Sequence, residues 1–358
     1  MSSVLDLARP DLRELRPYTP GVWEPGMTRM NANESPWRLP GDTTARGLNL
    51  YPPPRPESLR HTLGAHYGQD PERLLITRGS SEAIDVLIRG FCAAGRDRIA
   101  ITPPTFDMYR LYAGIQNAEV VKVPLIKERD FAIDVPALCR CADLPVKLVF
   151  VCSPNNPTGG SVPAEQMERI CEAFAGKALV VIDEAYHEFA DGGDFAAVGE
   201  RHPHVVLLRT LSKFVSLAGT RCGVLIAAPE IVGFLGNVLP PYTFPTPSIE
   251  LVLDALGADS LRVARERVDL IKRERRRLAE ALADLPGVAR VYPSDANFLL
   301  VETRDGDRFA AAAHSHGILV RQFTGEPALA NCIRITVGQP QDNDRLLQAV
   351  AGADFNDG

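Results

Sequence analysis

HVVLLRTLSKFVSLAGTRCGVLIA, residues 204–227, sets two apolar, β-branched runs on either side of a polar loop. The runs predict buried strands over Val205–Leu211 and Cys222–Ala227. Between them stand Thr210, Ser212, Lys213 and Arg221. A lysine is rarely buried unless it is paired or used. One at the tip of a core strand, with hydroxyls before it and an arginine after, marks this loop as a place where chemistry is expected.

The same kind of apolar run recurs upstream. Strands are predicted over Leu74–Thr77, Arg98–Thr102, Glu119–Val123, Lys147–Cys152 and Ala178–Asp183, several of them continuous, as in strands covered on both faces. Helical patterns fall between them at Ser81–Cys92, Pro163–Phe174 and within 230–239. Strands alternating with helices imply an α/β fold with a largely parallel sheet. Residues 1–40 are rich in Pro, Gly and Asn and read as an extended arm, and 41–247 read as the large domain. After Pro247 the pattern changes to a long amphipathic helix, Ser260–Leu285, then strands Val288–Tyr292 and Asn297–Glu302. A helix (Arg308–His316), strands Ile318–Phe323 and Cys332–Val337, and a helix (Asp344–Ala351) complete a smaller α+β domain over 248–358. The basic run 272–277 is expected on a solvated helix face, because Val268, Ile271, Leu278 and Leu282 keep an apolar stripe.

The 358 residues exceed what one core usually organises, consistent with two domains. A net charge of -6 gives no reason to expect nucleic acid or an acidic membrane as partner. Seven cysteines without a CxxC pair read as reduced thiols of a cytoplasmic protein. The N-terminal stretch interleaves charges with its leucines and lacks a signal peptide's apolar core, and no apolar run reaches membrane-spanning length. The HxH pairs His202/His204 and His314/His316 have no third ligand at useful spacing, so no metal is expected.

Four polar clusters sit at the ends of predicted strands, where open α/β sheets bind ligands. Gly79-Ser80-Ser81 opens a helix and suits a phosphate, although taken alone the serines are better explained as an ordinary N-cap. Asn155-Asn156-Pro157-Thr158-Gly159 follows a buried strand, as a plain turn or as a turn that aims an amide at a ligand. Asp183, ending another strand, is a helix cap or a carboxylate that keeps a ligand nitrogen protonated. Lys213 is a loop lysine or, desolvated among cations, a nucleophile able to form a Schiff base. Taken jointly the clusters fit a ligand with a phosphate, a basic ring nitrogen, an aldehyde and a phenolic oxygen. Pyridoxal 5′-phosphate carries all four.

Asn155–Gly159, Asp183-Glu184-Ala185-Tyr186 and Thr210-Leu211-Ser212-Lys213 with Arg221 resemble the fold-type-I aminotransferases. Asn31-Ala32-Asn33-Glu34-Ser35-Pro36, Tyr51-Pro52, Pro103-Pro104-Thr105-Phe106 and Cys332–Gly338 resemble, more narrowly, the histidinol-phosphate aminotransferase family. The resemblance runs from Tyr18 to Gly338. It implies the fold-type-I architecture: a mostly parallel central sheet with helices on both faces, plus the smaller α+β domain.

By that resemblance Lys213 bonds the cofactor covalently and moves the substrate proton, Asp183 keeps the pyridine nitrogen protonated, and Asn156 and Tyr186 hold the phenolic oxygen. Phe106 stacks on the ring. Gly79, Ser80, Ser81, Thr210, Ser212 and Arg221 surround the phosphate. Tyr51 reaches it from a neighbouring subunit, which implies a homodimer. Tyr18, Asn33, Arg321 and Arg334 fall at substrate-binding positions. The implied reaction moves an amino group between L-histidinol phosphate and 2-oxoglutarate. Alternatives are another aminotransferase, an L-threonine-phosphate decarboxylase, or a regulatory protein that binds the cofactor without turnover. Phe214-Val215-Ser216, Thr220 and Gln322–Gly325 depart from the family pattern and are expected at the pocket wall.

Overall fold

The structure is a computed structural model and describes residues 3–16, 18, 19, 21, 24 and 26–352. Seven strands form the larger sheet: β1 (Leu74–Thr77), β2 (Arg98–Ile101), β3 (Glu119–Lys122), β4 (Val146–Cys152), β5 (Leu179–Asp183), β6 (Val205–Thr210) and β7 (Gly223–Ile226). Their order is β1-β7-β6-β5-β4-β2-β3. Strands β3, β2, β4, β5 and β6 pair in parallel, and β7 is antiparallel to both β6 and β1.

Alternation along each strand sends successive side chains to opposite faces. Val149, Val151, Val180, Ile182, Val205 and Leu207 join one core, and Leu148, Phe150, Leu179, Val181, Val206 and Leu208 join another. The first face is covered by α1 (Glu57–Tyr67), α4 (Val135–Arg140), α5 (Ala164–Phe174), α6 (Ala196–Arg201) and α8 (Thr246–Ala255). The second is covered by α2 (Ser80–Phe91), α3 (Met108–Ile115) and α7 (Pro229–Val238). Helices on both faces explain why these strands read as unbroken apolar runs rather than half-polar ones.

Downstream, α9 (Ala258–Ala283) leads into a second sheet of β8 (Val288–Val291), β9 (Phe298–Thr303), β10 (Arg321–Gln322) and β11 (Cys332–Thr336), ordered β10-β11-β9-β8 and antiparallel throughout. With α10 (Gly306–Ser315) and α11 (Pro340–Ala351) it buries Leu278, Leu299, Val301, Phe309, Ile333 and Leu346. Helix α9 differs from expectation. Arg275 is buried, and its Nη1 donates to the carbonyls of Phe189 (3.1 Å) and Ala296 (2.7 Å). Its charge is carried inward because those carbonyls need donors, which an apolar side chain would not supply.

Candidate active site

The parallel strands β4, β5 and β6 bring their C-terminal ends to one edge of the sheet. Asp183 is the last residue of β5 and Thr210 the last of β6, while Asn156 follows β4 and Lys213 follows β6. Strand β7 runs the other way, so Arg221, just before it, arrives at the same edge. Gly223 is in register with both Thr210 and Thr77. A Cβ on Gly223 would lie 2.7 Å from the Ser80 nitrogen, so only glycine lets the start of α2 lie against β7. Gly79 has φ +75° and ψ 172°, a backbone region open essentially to glycine alone, and its own Cβ would meet Arg221 Nη2 at 2.8 Å.

The result is a cleft of about 170 Å³. Gly79, Ser80, Ser81, Thr210, Ser212 and Arg221 line one end; Asp183, Tyr186, Asn156, Phe106 and Lys213 line the rest. Gly79 caps α2 without any side-chain hydrogen bond, and Ser80 and Ser81 are the first helical residues, not the cap. The first-turn N–H groups therefore face the cleft end with the positive pole of the helix dipole behind them.

Asp183 is 2% exposed. Its Oδ2 accepts the Tyr109 hydroxyl at 2.7 Å and its Oδ1 accepts the Ala185 amide at 3.1 Å. Burial pushes its carboxyl up from 3.8 to about 6, against the pull of those two donors. Lys213 opens onto the cleft, yet the surrounding walls desolvate its amine. That burial, then Arg334 and then Arg221, lowers the lysine's pKa. Its Nζ stands 5.9 Å from the centre of the Tyr186 ring. Burial raises the Tyr186 phenol. Arg334, on β11, donates from Nη1 to Asn156 Oδ1 and lies 5.4 Å over the Phe298 ring, so the second sheet closes one side of the cleft. Thr210 and Ser212 are joined through their hydroxyls at 2.9 Å.

Arg321, on β10, pairs in register with Arg334 but is exposed. Within one chain three expected residues lie away from the cleft. Tyr18, 66% exposed, borders a separate apolar cavity between α1, β1 and the end of α7. Asn33 is exposed on the arm. Tyr51 is exposed and stacks on Tyr242 with ring centres 4.8 Å apart. Phe214 and Val215, expected at the pocket wall, are instead buried in the main core, where Phe214 stacks on His66 at 6.0 Å; their apolar bulk is drawn under the loop. His202 and His204 are engaged separately, by Glu168 at 2.6 Å and by the Cys171 carbonyl at 2.9 Å.

The sequence reading missed what stands behind the site. Arg209, buried next to Thr210, bonds Glu184 through Nε (2.9 Å) and Asp194 through Nη2 (2.7 Å), tying the ends of β5 and β6 together. The available signal was a charged residue closing each of two apolar strands. Tyr109 and Cys152 also pack at Asp183.

Residues 32–350 match the family described as aminotransferase class I and II. The chain belongs to that family. This aminotransferase is 46% identical over 349 residues to a histidinol-phosphate aminotransferase of Xylella fastidiosa, covering 96% of this chain and 95% of the relative. Among solved structures it is similar to the histidinol-phosphate aminotransferase of Clostridium acetobutylicum. That likeness has a TM-score of 0.78 at 23% identity, over 85% of this chain and 90% of the other. It is also similar to the Sinorhizobium meliloti enzyme in complex with pyridoxal-5′-phosphate, at TM-score 0.76 and 25% identity, over 85% and 83%. These likenesses agree with the fold-type-I architecture expected of the aminotransferase.

Proposed function

We propose that the chain binds pyridoxal 5′-phosphate and transfers the amino group of L-histidinol phosphate to 2-oxoglutarate, giving imidazole acetol phosphate and L-glutamate. The observation that carries the cofactor is the convergence, in one cleft, of a buried carboxylate, a lysine of lowered pKa and a helix N-terminus beside an arginine. A carboxylate desolvated to this degree calls for a cationic partner, and the far end of the cleft offers N–H groups and a guanidinium to an anion. When bound, the cofactor supplies an aldehyde that captures amines and a cationic ring that withdraws electrons. The choice of histidinol phosphate rests on the Xylella relative, similar over nearly the whole chain.

Each residue then has a task. The α2 amide groups with Ser212 and Arg221 hold the phosphate, and Asp183 keeps the ring nitrogen protonated. Asn156 and Tyr186 donate to the phenolic oxygen, and Phe106 lies against the ring face. Lys213 Nζ, short of a proton at lower pH than an ordinary lysine, would be the amine that holds the cofactor through its aldehyde and the base that takes and returns the proton at substrate Cα. Arg334 would receive a carboxylate, and Arg321 the substrate's phosphate; Tyr18 and Asn33, away from the cleft within one chain, would serve the phosphate end only in the assembled dimer. The same arginine geometry accepts either anion, as a two-stage reaction with alternating substrates requires.

The reading includes a homodimer. The arm exposes Met27, Met30, Trp37 and Leu39, between 66% and 92% each, an amount of apolar surface that a second copy would cover. Tyr51 would then serve the partner's cleft. It also includes the division into arm (1–40), large domain (41–247) and small domain (248–358), whose outer ends lie outside the described residues, and a cytoplasmic setting. Among the described residues no helix is long and apolar enough to cross a membrane. The test is a half-reaction screen: purified chain with bound cofactor is given phosphorylated and free amino donors, and its absorption spectrum is followed. Conversion by histidinol phosphate, reversed by 2-oxoglutarate, is expected. Carbon dioxide release without need of an oxo acid would indicate a decarboxylase instead, and an unchanged spectrum would remove the enzyme reading.

A further inference from the structure

Tyr109, on the first turn of α3, is fully buried beneath the cleft. Its ring stacks on Phe150 of β4, with centres 4.7 Å apart and planes at 16°, and meets Phe106 edge-on at 5.7 Å. Phenylalanine would fill that aromatic slot without needing a polar partner. The hydroxyl donates to Asp183 Oδ2 at 2.7 Å, across a separation of 74 residues, with the Cys152 thiol as a second neighbour.

A carboxylate has acceptor sites for about four donors. Asp183 engages one on each oxygen, the Tyr109 hydroxyl from α3 and the Ala185 amide from its own loop. Two donors from different elements fix the plane of the carboxylate and still leave each oxygen acceptor capacity. Both favour its charged form, against a site that otherwise favours the neutral one. A neutral carboxyl could share a hydrogen bond with a ring nitrogen but could not pair with a cationic one.

We propose that Tyr109 is a positioning residue that acts through Asp183: its hydroxyl holds the carboxylate charged and aimed, and so sets how firmly the site grips a protonated ring nitrogen. The inference rests on the pyridoxal-phosphate reading above. Through its edge contact with Phe106, Tyr109 also joins the ring's nitrogen partner and its face partner in one rigid unit.

The test compares two ligands on the full chain stripped of cofactor: pyridoxal 5′-phosphate and its analogue with a C–H group in place of the ring nitrogen. Removing a hydrogen bond to a charged group corresponds to about tenfold or more in affinity. Tyr109→Phe should therefore weaken the natural ligand about tenfold or more while changing the analogue less than about twofold. Equal losses for both ligands would make Tyr109 a packing residue and overturn the proposal, as would no loss for either. Phe150→Leu loosens the ring's stack but keeps the hydroxyl. It should lower the melting temperature and leave the preference between ligands intact, and a lost preference there would also overturn the proposal. If the unsubstituted chain binds neither ligand, the cofactor reading itself fails, an outcome distinct from the others.

Discussion

Replacing Asp183 with asparagine should stabilise the cofactor-free chain in a pH-dependent way while weakening its hold on the cofactor. The carboxyl is 2% exposed and pushed from 3.8 to about 6, chiefly by burial. At about 1.4 kcal/mol per tenfold, holding it ionised costs the folded chain about 3 kcal/mol at neutral pH. The sign follows from proton binding. Unfolded, the group loses its proton near 3.8; folded, it keeps the proton until about 6. Between those values the folded state binds more protons, so its stability falls as pH rises and levels off above about 7. Asparagine has no such proton. It does lose the stronger acceptor for Tyr109 and Ala185, by an amount that does not vary with pH. The diagnostic is therefore the slope. In urea unfolding, the stability of Asp183→Asn relative to the unsubstituted chain should be about 1.5 kcal/mol more favourable at pH 8 than at pH 5. Saturating cofactor should reverse the order, because a cationic nitrogen opposite the carboxylate removes the cost. A difference that stays constant across pH would refute the claim that the folded chain holds this carboxylate at a penalty.

Gly79→Ala should cost about 1–3 kcal/mol of stability and weaken cofactor binding at least tenfold, since the alanine is strained at φ +75° and its Cβ displaces Arg221; unfolding and titration equal to those of the unsubstituted chain would contradict this. Arg209→Met should destabilise the chain by about 3–5 kcal/mol in chemical denaturation, because the fully buried Glu184 side chain loses its partner. Adding Glu184→Gln should recover a large part of the loss. Lys213→Ala and Tyr51→Ala chains, each inactive alone, should regain activity when unfolded together and refolded, because one site of the mixed dimer then has both residues. No recovery would place Tyr51 in its own subunit's site or outside the site.

What the sequence disclosed and what it withheld divide on physical lines. The strands were visible because covering both faces of a sheet demands unbroken apolar runs, as in Val146–Cys152 and Leu179–Asp183. The segment 318–323 was not the strand expected. Only Arg321 and Gln322 pair with β11, and Leu319 is 86% exposed, because an edge strand extends only as far as its partner allows. The cleft residues lie at strand ends and were legible from polar letters breaking apolar runs. Tyr109 was not, since its role depends on where α3 sets a hydroxyl against the end of β5. Arg275 was misread for the same reason: a charged letter in a basic run looks solvated until the fold brings carbonyls to it.

The charges of the site argue for the order of events in it. Burial first, then Arg334 and Arg221, lower the Lys213 amine, and Arg334 is itself lowered by burial while facing Arg321. Burial raises Asp183 on the other side. Among the described residues no ion pair engages Arg221, Arg334 or Asp183, an arrangement that lowers stability in exchange for preorganised binding. A ligand with a phosphate at α2 and a protonated ring nitrogen at Asp183 answers the first and last of these. On the proposed reading an anionic group of the substrate at Arg334, the phosphate of the amino donor or a carboxylate of the oxo acid, answers the remaining one and offsets part of the field that lowers the Lys213 amine. On that reading the Lys213 amine is less basic before the substrate's anion arrives than after it, the order that suits a group proposed to react first as a nucleophile and then as a proton acceptor at Cα.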